Sequence, residues 1–344
     1  MTTLTQTSTA IKNLGLRAGK VVAALVVLFI LFKLGGAIFS LISPQPAIVP
    51  TAAFGKLPQF DLSEGVVVDN LNIRVDTISG DIPNLDTSAK VFAQVSPDIT
   101  FGNLNQATQI ATHLGFLPNS QDLGGGKVKF SDTKRPDRFL TMELASNNFN
   151  FTSNFLGDIS ILDSKPKSTE TVQSAAVKFL QNFGFSAGEF PANKITAVFY
   201  TTNGGNLVKT DSLSSANVVK IIFKPADLDS SSVDYINEAD PLIWVIVSDK
   251  DILAGEKALV QIQKNKFATY PLKGATVAFE QLKQGRGVLN KQPNDNNFVV
   301  RNVKIAYVAS RKYQPYLEPV YIFEGNDGVN AYVGAVSDSW VETN

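Results

Sequence analysis

The longest apolar run in the chain extends from Val21 to Ile42, is broken by charge only at Lys33, and follows Lys12, Arg17 and Lys20. About 20 apolar residues suffice to cross a bilayer as a helix, and basic residues on the N-terminal flank hold that flank in the cytoplasm. The pattern therefore predicts a cytoplasmic tail over 1–20, a single transmembrane helix over 21–42, and an extracytoplasmic remainder. A cleaved signal peptide is the alternative, since its apolar core is about 7 to 15 residues and Val21 to Phe32 fits. The return of Leu34, Ile38, Phe39, Leu41 and Ile42 beyond Lys33 favours a retained anchor. Pro44, Pro46, Pro50 and Pro58 then mark 43–59 as an extended, semi-rigid linker.

Beyond the linker the apolar period changes repeatedly from strand to helix. Val66 to Val68, then Leu71, Ile73 and Val75, read as strands with a turn at Asp69-Asn70, and Val91 to Val95 as another strand. Leu104, Ala107, Ile110, Ala111 and Leu114 recur at helical spacing, and Gly115-Phe116 closes the helix. Strands follow at Lys127 to Phe130, Phe139 to Leu144 and Asn147 to Phe155, with Gly124-Gly125-Gly126 as a link from helix to strand.

The same order returns 69 residues later, counted from Gly115 to Gly184. Ser168 or Thr169 can cap a helix with Val172, Ala175, Ala176, Phe179, Leu180 and Phe183 on its apolar face, and Gly184-Phe185 ends it. Ile195 to Thr201, Val218 to Phe223 and Leu242 to Val247 are its strands, with a turn at Asn203 to Asn206. A third round begins with a strand within Lys257 to Tyr270. Ala275, Ala278, Phe279 and Leu282 mark a helix ending at Gly285, and Val303 to Ala309, Pro319 to Phe323 and Val329 to Val336 are strands, the last two joined by a turn at Glu324 to Gly328. The expected fold is α+β, an N-terminal transmembrane helix followed by tandem helix-plus-antiparallel-sheet units over 60–166, 167–256 and 257–344.

Charge and composition narrow the function classes. Of 31 basic and 31 acidic residues, 1–43 holds four basic ones and no acid, so the remainder carries 27 basic residues and a net charge of −4. No basic stripe serves nucleic acid. The absence of cysteine excludes disulfides and lipidation at cysteine, and with a single histidine it excludes Cys/His zinc sites. His113 lies on the first predicted helix beside Ile110 and Leu114 and reads as structural or surface rather than as a general base. Asp227, Asp229, Asp234, Glu238 and Asp240 crowd a Ser-rich segment, but their spacing does not fit the calcium loop, and a solvated connection is expected. Gly124 to Gly126 lacks the Lys-Ser/Thr ending of a phosphate loop. Asn150-Phe151-Thr152 is a glycosylation sequon, and Phe149, Phe151 and Phe155 are expected to face a core.

Lys33 is costly near the middle of a membrane helix, by about 2.5–3.5 kcal/mol on insertion scales. It either snorkels or pairs with an acid of a partner helix, for which Gly35, Gly36, Ala37 and Ser40 offer a close-packing face. Lys33, Gly35, Gly36 and Ser40 are thus the candidate membrane-partner contact.

The C-terminal third carries a family resemblance. Tyr270-Pro271-Leu272-Lys273, the helix Thr276 to Gln284, Ile305-Ala306-Tyr307, Leu317-Glu318-Pro319-Val320-Tyr321-Ile322-Phe323 and a last strand with Tyr332 together resemble PepSY-like units, particularly those of the YycH/YycI group of extracytoplasmic regulators. The resemblance is specific over roughly 257–340 and architectural elsewhere, and Tyr321 stands where many members have tryptophan. It implies a non-enzymatic regulator without catalytic residues or cofactor, whose partner is an envelope or membrane protein, such as a sensor kinase or protease, or a peptide. The competing expectation is a membrane-tethered hydrolase of envelope polymers, which needs two carboxylates facing one cleft at about 5–10 Å.

Overall fold

Three glycines predicted to end helices do so by one shared device. The structure, a computed structural model, describes residues 49–69, 71–158, 165–249 and 251–342. Its helices are α1 (Asn103–His113), α2 (Thr169–Gln181) and α3 (Ala275–Lys283). Gly115, Gly184 and Gly285 follow them with φ of 86°, 78° and 76°. In each case the glycine N–H and the next residue's N–H turn back onto the last helical turn, as in Phe185 N–H to Leu180 O and Arg286 N–H to Gln281 O. Ser168 opens α2 by accepting the Thr171 N–H at 3.2 Å. Space is open around a Cβ at Gly184, so Gly184→Ala is expected to cost only the left-handed backbone term, about 1–2 kcal/mol. A denaturant titration checks it, and Gly184→Asn should recover part of the loss.

The fold is mixed α+β. The largest sheet has nine antiparallel strands: β4 (Ser120–Gly124), β5 (Lys127–Ser131), β6 (Phe139–Glu143), β7 (Asn148–Thr152), β8 (Ile195–Asn203), β9 (Asn206–Thr210), β10 (Val218–Phe223), β12 (Ile243–Val247) and β13 (Ile252–Lys257), in the order β4-β5-β6-β7-β13-β12-β10-β8-β9. Ala107 and Ala111 of α1 and Val172, Ala176, Phe179 and Leu180 of α2 share one core with the inward strand positions. Phe149 and Phe151 lie in this core, whereas Phe155 joins a separate cluster with Val218 and Leu253.

A second sheet joins β1 (Val66–Val67), β2 (Asn72–Val75), β11 (Val233–Tyr235), β15 (Val288–Leu289), β16 (Asn297–Ala309), β18 (Pro319–Gly325) and β19 (Asn330–Gly334), and a third joins β3 (Ser88–Gln94), β14 (Ile262–Pro271) and β17 (Tyr316–Leu317). α3 packs on β19, and Ala278 and Leu282 are fully buried there. Among these strands pairing is antiparallel except where β2 and β11 run parallel to β16.

The sheets cut across the boundaries drawn on the sequence. β7 pairs with β13, β3 with β14 and β17, and β1 and β2 with the C-terminal strands β15 and β16. Thus Val66–Val67 and Asn72–Val75 do not pair with each other about Asp69-Asn70. Their alternation marks a half-buried strand but not its neighbour. Gly124 to Gly126 turns between β4 and β5 rather than between helix and strand, because polar β4 is an edge strand with little apolar signal. The strand expected within 257–270 is two, with Lys257 ending β13 and β14 starting at Ile262.

No helix among the described residues is long and apolar enough to cross a membrane. The expected span 21–42, with Lys33, Gly35, Gly36 and Ser40, lies outside the described residues.

Candidate functional site

A cavity of about 280 Å³ opens beside the C-terminal end of α2. Its aromatic wall follows from the helix-ending turn: Gly184 reverses the chain so that Phe183 and Phe185 flank the turn and both line the cavity with Phe190. Phe183 stacks on Phe149 with ring centroids 3.8 Å apart, and Phe185 on Phe190 at 4.4 Å. Phe223 meets Phe185 edge-on at 5.2 Å. The rings of the wall thus pack on one another in stacked and edge-to-face contacts.

Two polar groups converge on this wall without full partners. Lys257 enters from the end of β13 and lines the cavity, and its ammonium donates to the Ser146 carbonyl at a long 3.4 Å. It forms no ion pair among the described residues. Burial against apolar surroundings pushes its pKa down to about 8, and the charges of Glu189 and Glu143 oppose that shift only in part. The second group is Asn147, held at φ 52° in the tight turn between β6 and β7, a conformation asparagine tolerates. Its Oδ1 is buried and accepts no hydrogen bond. An apolar pocket with a few convergent polar groups and a perturbed titratable side chain is the usual form of a binding site. The chemistry on offer is an ammonium for an anion and phenylalanine faces for an apolar body, with the buried Asn147 Oδ1 available to an N–H donor once its amide turns toward the cavity.

The residues singled out in the sequence fall elsewhere. His113 is exposed on the last turn of α1. The sequon lies in β7, which pairs on both sides, with Asn150 opposite Thr141 and Glu256. The five clustered acids do not converge on one point. Asp227 binds Lys194 at 2.5 Å, Asp229 binds Lys90 at 2.6 Å, Asp234 binds Lys304 at 3.3 Å, Glu238 binds Lys224 at 2.6 Å, and Asp240 binds Arg311 at 2.8 Å. The segment is less a solvated loop than a strap: Val233, Tyr235 and Ile236 are buried, and its acids reach cations on several elements. Each exposed pair contributes about 0–1 kcal/mol.

Three carboxylates, Glu318, Asp338 and Glu342, are among the residues lining a recess beside α3. Asp338 accepts from Lys273 at 2.6 Å on Oδ1 and from Gln281 at 2.8 Å on Oδ2, and its pKa stays below the usual carboxylate value despite burial. Burial instead pushes Glu318 up to about 8.

Sequence reasoning did not single out Lys257 or Asn147. The available signal was a lysine at the end of β13 flanked by Ala258, Leu259 and Val260, and an Asn147-Asn148 turn ahead of the phenylalanine strand.

No family model and no curated protein matches the chain. Among solved structures, the crystal structure of an uncharacterized protein from Eubacterium rectale ATCC 33656 is similar at 12% identity and a TM-score of 0.42, over 81% of this chain and 86% of that one.

Proposed function

We propose that the chain is a single-pass, membrane-anchored extracytoplasmic binding protein that regulates an envelope partner without catalysis, and that the Lys257 cavity receives the free C-terminal end of a peptide. The single observation behind this reading is an ammonium that forms no ion pair among the described residues, together with an unpartnered Asn147 Oδ1, beside a phenylalanine wall. A peptide C-terminus supplies the complements: a carboxylate for Lys257, the last backbone N–H for Asn147 Oδ1, and an apolar terminal side chain for Phe183, Phe185 and Phe190.

In this reading 21–42 is the anchor, 43–59 the spacer, and the body an elaboration of tandem helix-and-sheet units of PepSY-like, YycH/YycI type. The partner is an envelope protein such as a sensor kinase or a protease, met through Lys33, Gly35, Gly36 and Ser40 in the membrane and through the cavity outside it. The hydrolase alternative would draw on Glu318 and Asp338, whose pKa values are driven apart. Both Asp338 oxygens already accept protein donors, which favours an ion-pair anchor over a base for water.

The test is calorimetric titration of the full chain in detergent micelles with short peptides ending in phenylalanine or leucine, as free acids and as amides. Free acids are expected to bind, and amidation or Lys257→Met to weaken binding by about 30-fold or more, the effect of removing one partner of a buried charged contact. Equal binding of acid and amide would overturn the reading.

A further inference from the structure

The recess beside α3 differs in chemistry from the Lys257 cavity, being lined by carboxylates as well as cations. Its volume is about 450 Å³, and it lies between α3, the chain after β19 and the N-terminal segment around Phe60. Glu318, between β17 and β18, is only 3% exposed. Its carboxyl accepts no hydrogen bond among the described residues, although it lines the recess. A buried carboxyl in that condition lacks a donor that a ligand can provide.

Of the two cations that line the recess, Lys273 is engaged and Arg286 is not. Lys273 is committed to Asp338 and Gln281, at 2.6 Å and 3.0 Å, and does not hydrogen-bond Glu318. Arg286 is exposed at the mouth and forms no ion pair among the described residues, although its charge reaches Asp338. Its position comes from the α3 ending: Gly285 turns the chain and Arg286 N–H closes onto Gln281 O at 2.9 Å. Glu342 is exposed at the rim, and Phe60, Leu62 and Val336 supply apolar wall.

We propose that this recess binds a free α-amino acid with an aliphatic side chain, its ammonium on the Glu318 carboxylate, its carboxylate on Arg286 and its side chain against Phe60, Leu62 and Val336. An ammonium supplies N–H donors to a buried acid that has none and completes a charge compensation that Lys273 provides only in part, and the guanidinium suits a carboxylate by its paired donors. The unsatisfied acid is what distinguishes the site from an ordinary surface ion-pair network. The proposal uses neither Lys257 nor the peptide reading, and the two stand or fall separately.

The experiment is calorimetric titration of the full chain in micelles with leucine, leucinamide and N-acetyl-leucine. Leucine is expected to bind, and N-acetyl-leucine and leucinamide each to bind at least about tenfold more weakly, since each lacks one charged contact. Glu318→Gln should retain a cooperative melt and lose leucine by at least about tenfold, and Arg286→Gln should weaken leucine while leaving leucinamide unchanged. N-acetyl-leucine binding as tightly as leucine, unchanged leucine affinity in a folded Glu318→Gln protein, or no leucine binding at millimolar concentration would each overturn the proposal.

Discussion

Phe183→Ala is expected to lower the unfolding free energy by about 3–5 kcal/mol, at the upper end for a core substitution. Phe183 is 1% exposed and sits between α2 and the nine-stranded sheet. Its ring stacks on Phe149 at 3.8 Å and meets Phe179 at 5.4 Å. Truncation removes the transfer free energy of the ring and leaves a void, and the rings around it are fixed by one another and cannot collapse to fill it. The same substitution should enlarge the cavity beside Lys257 and abolish peptide binding, coupling stability to the proposed function through one side chain. Urea titration of wild type and variant checks the first effect, with a lower midpoint and an unchanged slope. A loss below about 1 kcal/mol would mean that the aromatic cluster does not pack as described.

The second large effect is a pH dependence. Glu318 has a folded-state pKa of about 8 against an ordinary value of 4.5, because burial disfavours its ionised form and Lys273 only partly offsets that. Between those values the folded chain keeps a proton that the unfolded chain has released. Stability from this group is therefore complete below about pH 4.5, declines as pH rises, and is lost above about 8. Glu318→Gln removes the decline. Relative to wild type the variant should gain with rising pH, by on the order of 4 kcal/mol once above about pH 8. Denaturation midpoints at about pH 5, 7 and 9 read this difference, and parallel curves for the two proteins would contradict a buried, unpartnered carboxyl.

Local features were legible in the sequence where one residue dictates one conformation. Gly115, Gly184 and Gly285 each mark the residue after a helix, because a positive φ with paired N–H groups is inexpensive only for glycine. Strands with a strong apolar period, such as β10 and β18, were also readable. Two strands gave no such signal: Ser120–Gly124 is a polar, exposed edge, and Val233–Tyr235 hides within a run of acids. Strand partners were out of reach because pairing of β2 with β16 spans more than two hundred residues and leaves no local trace.

The candidate site was less legible than the fold for the same reason. Lys257, Asn147 and the Phe183-Gly184-Phe185 turn come from three separated segments, and each alone has an ordinary explanation. Glu318 lies within Leu317 to Phe323, the stretch that carries the family resemblance, and its unusual feature, an acid inside an apolar run, is visible in the sequence. Lys257 runs directly into Ala258, Leu259 and Val260, and Glu318 stands between Leu317 and Pro319, so a charge abutting an apolar run is the sequence signal that both recesses share.

If Lys257 is the group that receives a ligand's carboxylate, its own titration shows it most directly. With lysine side chains carrying a carbon-13 label, the Lys257 resonance, assigned by its loss in Lys257→Met, should titrate near 8 in the unliganded protein. Adding a free-acid peptide should raise that pKa by at least about one unit, because a bound anion favours the charged form, while the amidated peptide leaves it in place. Titration at the ordinary lysine value, or an identical response to acid and amide, would contradict the account.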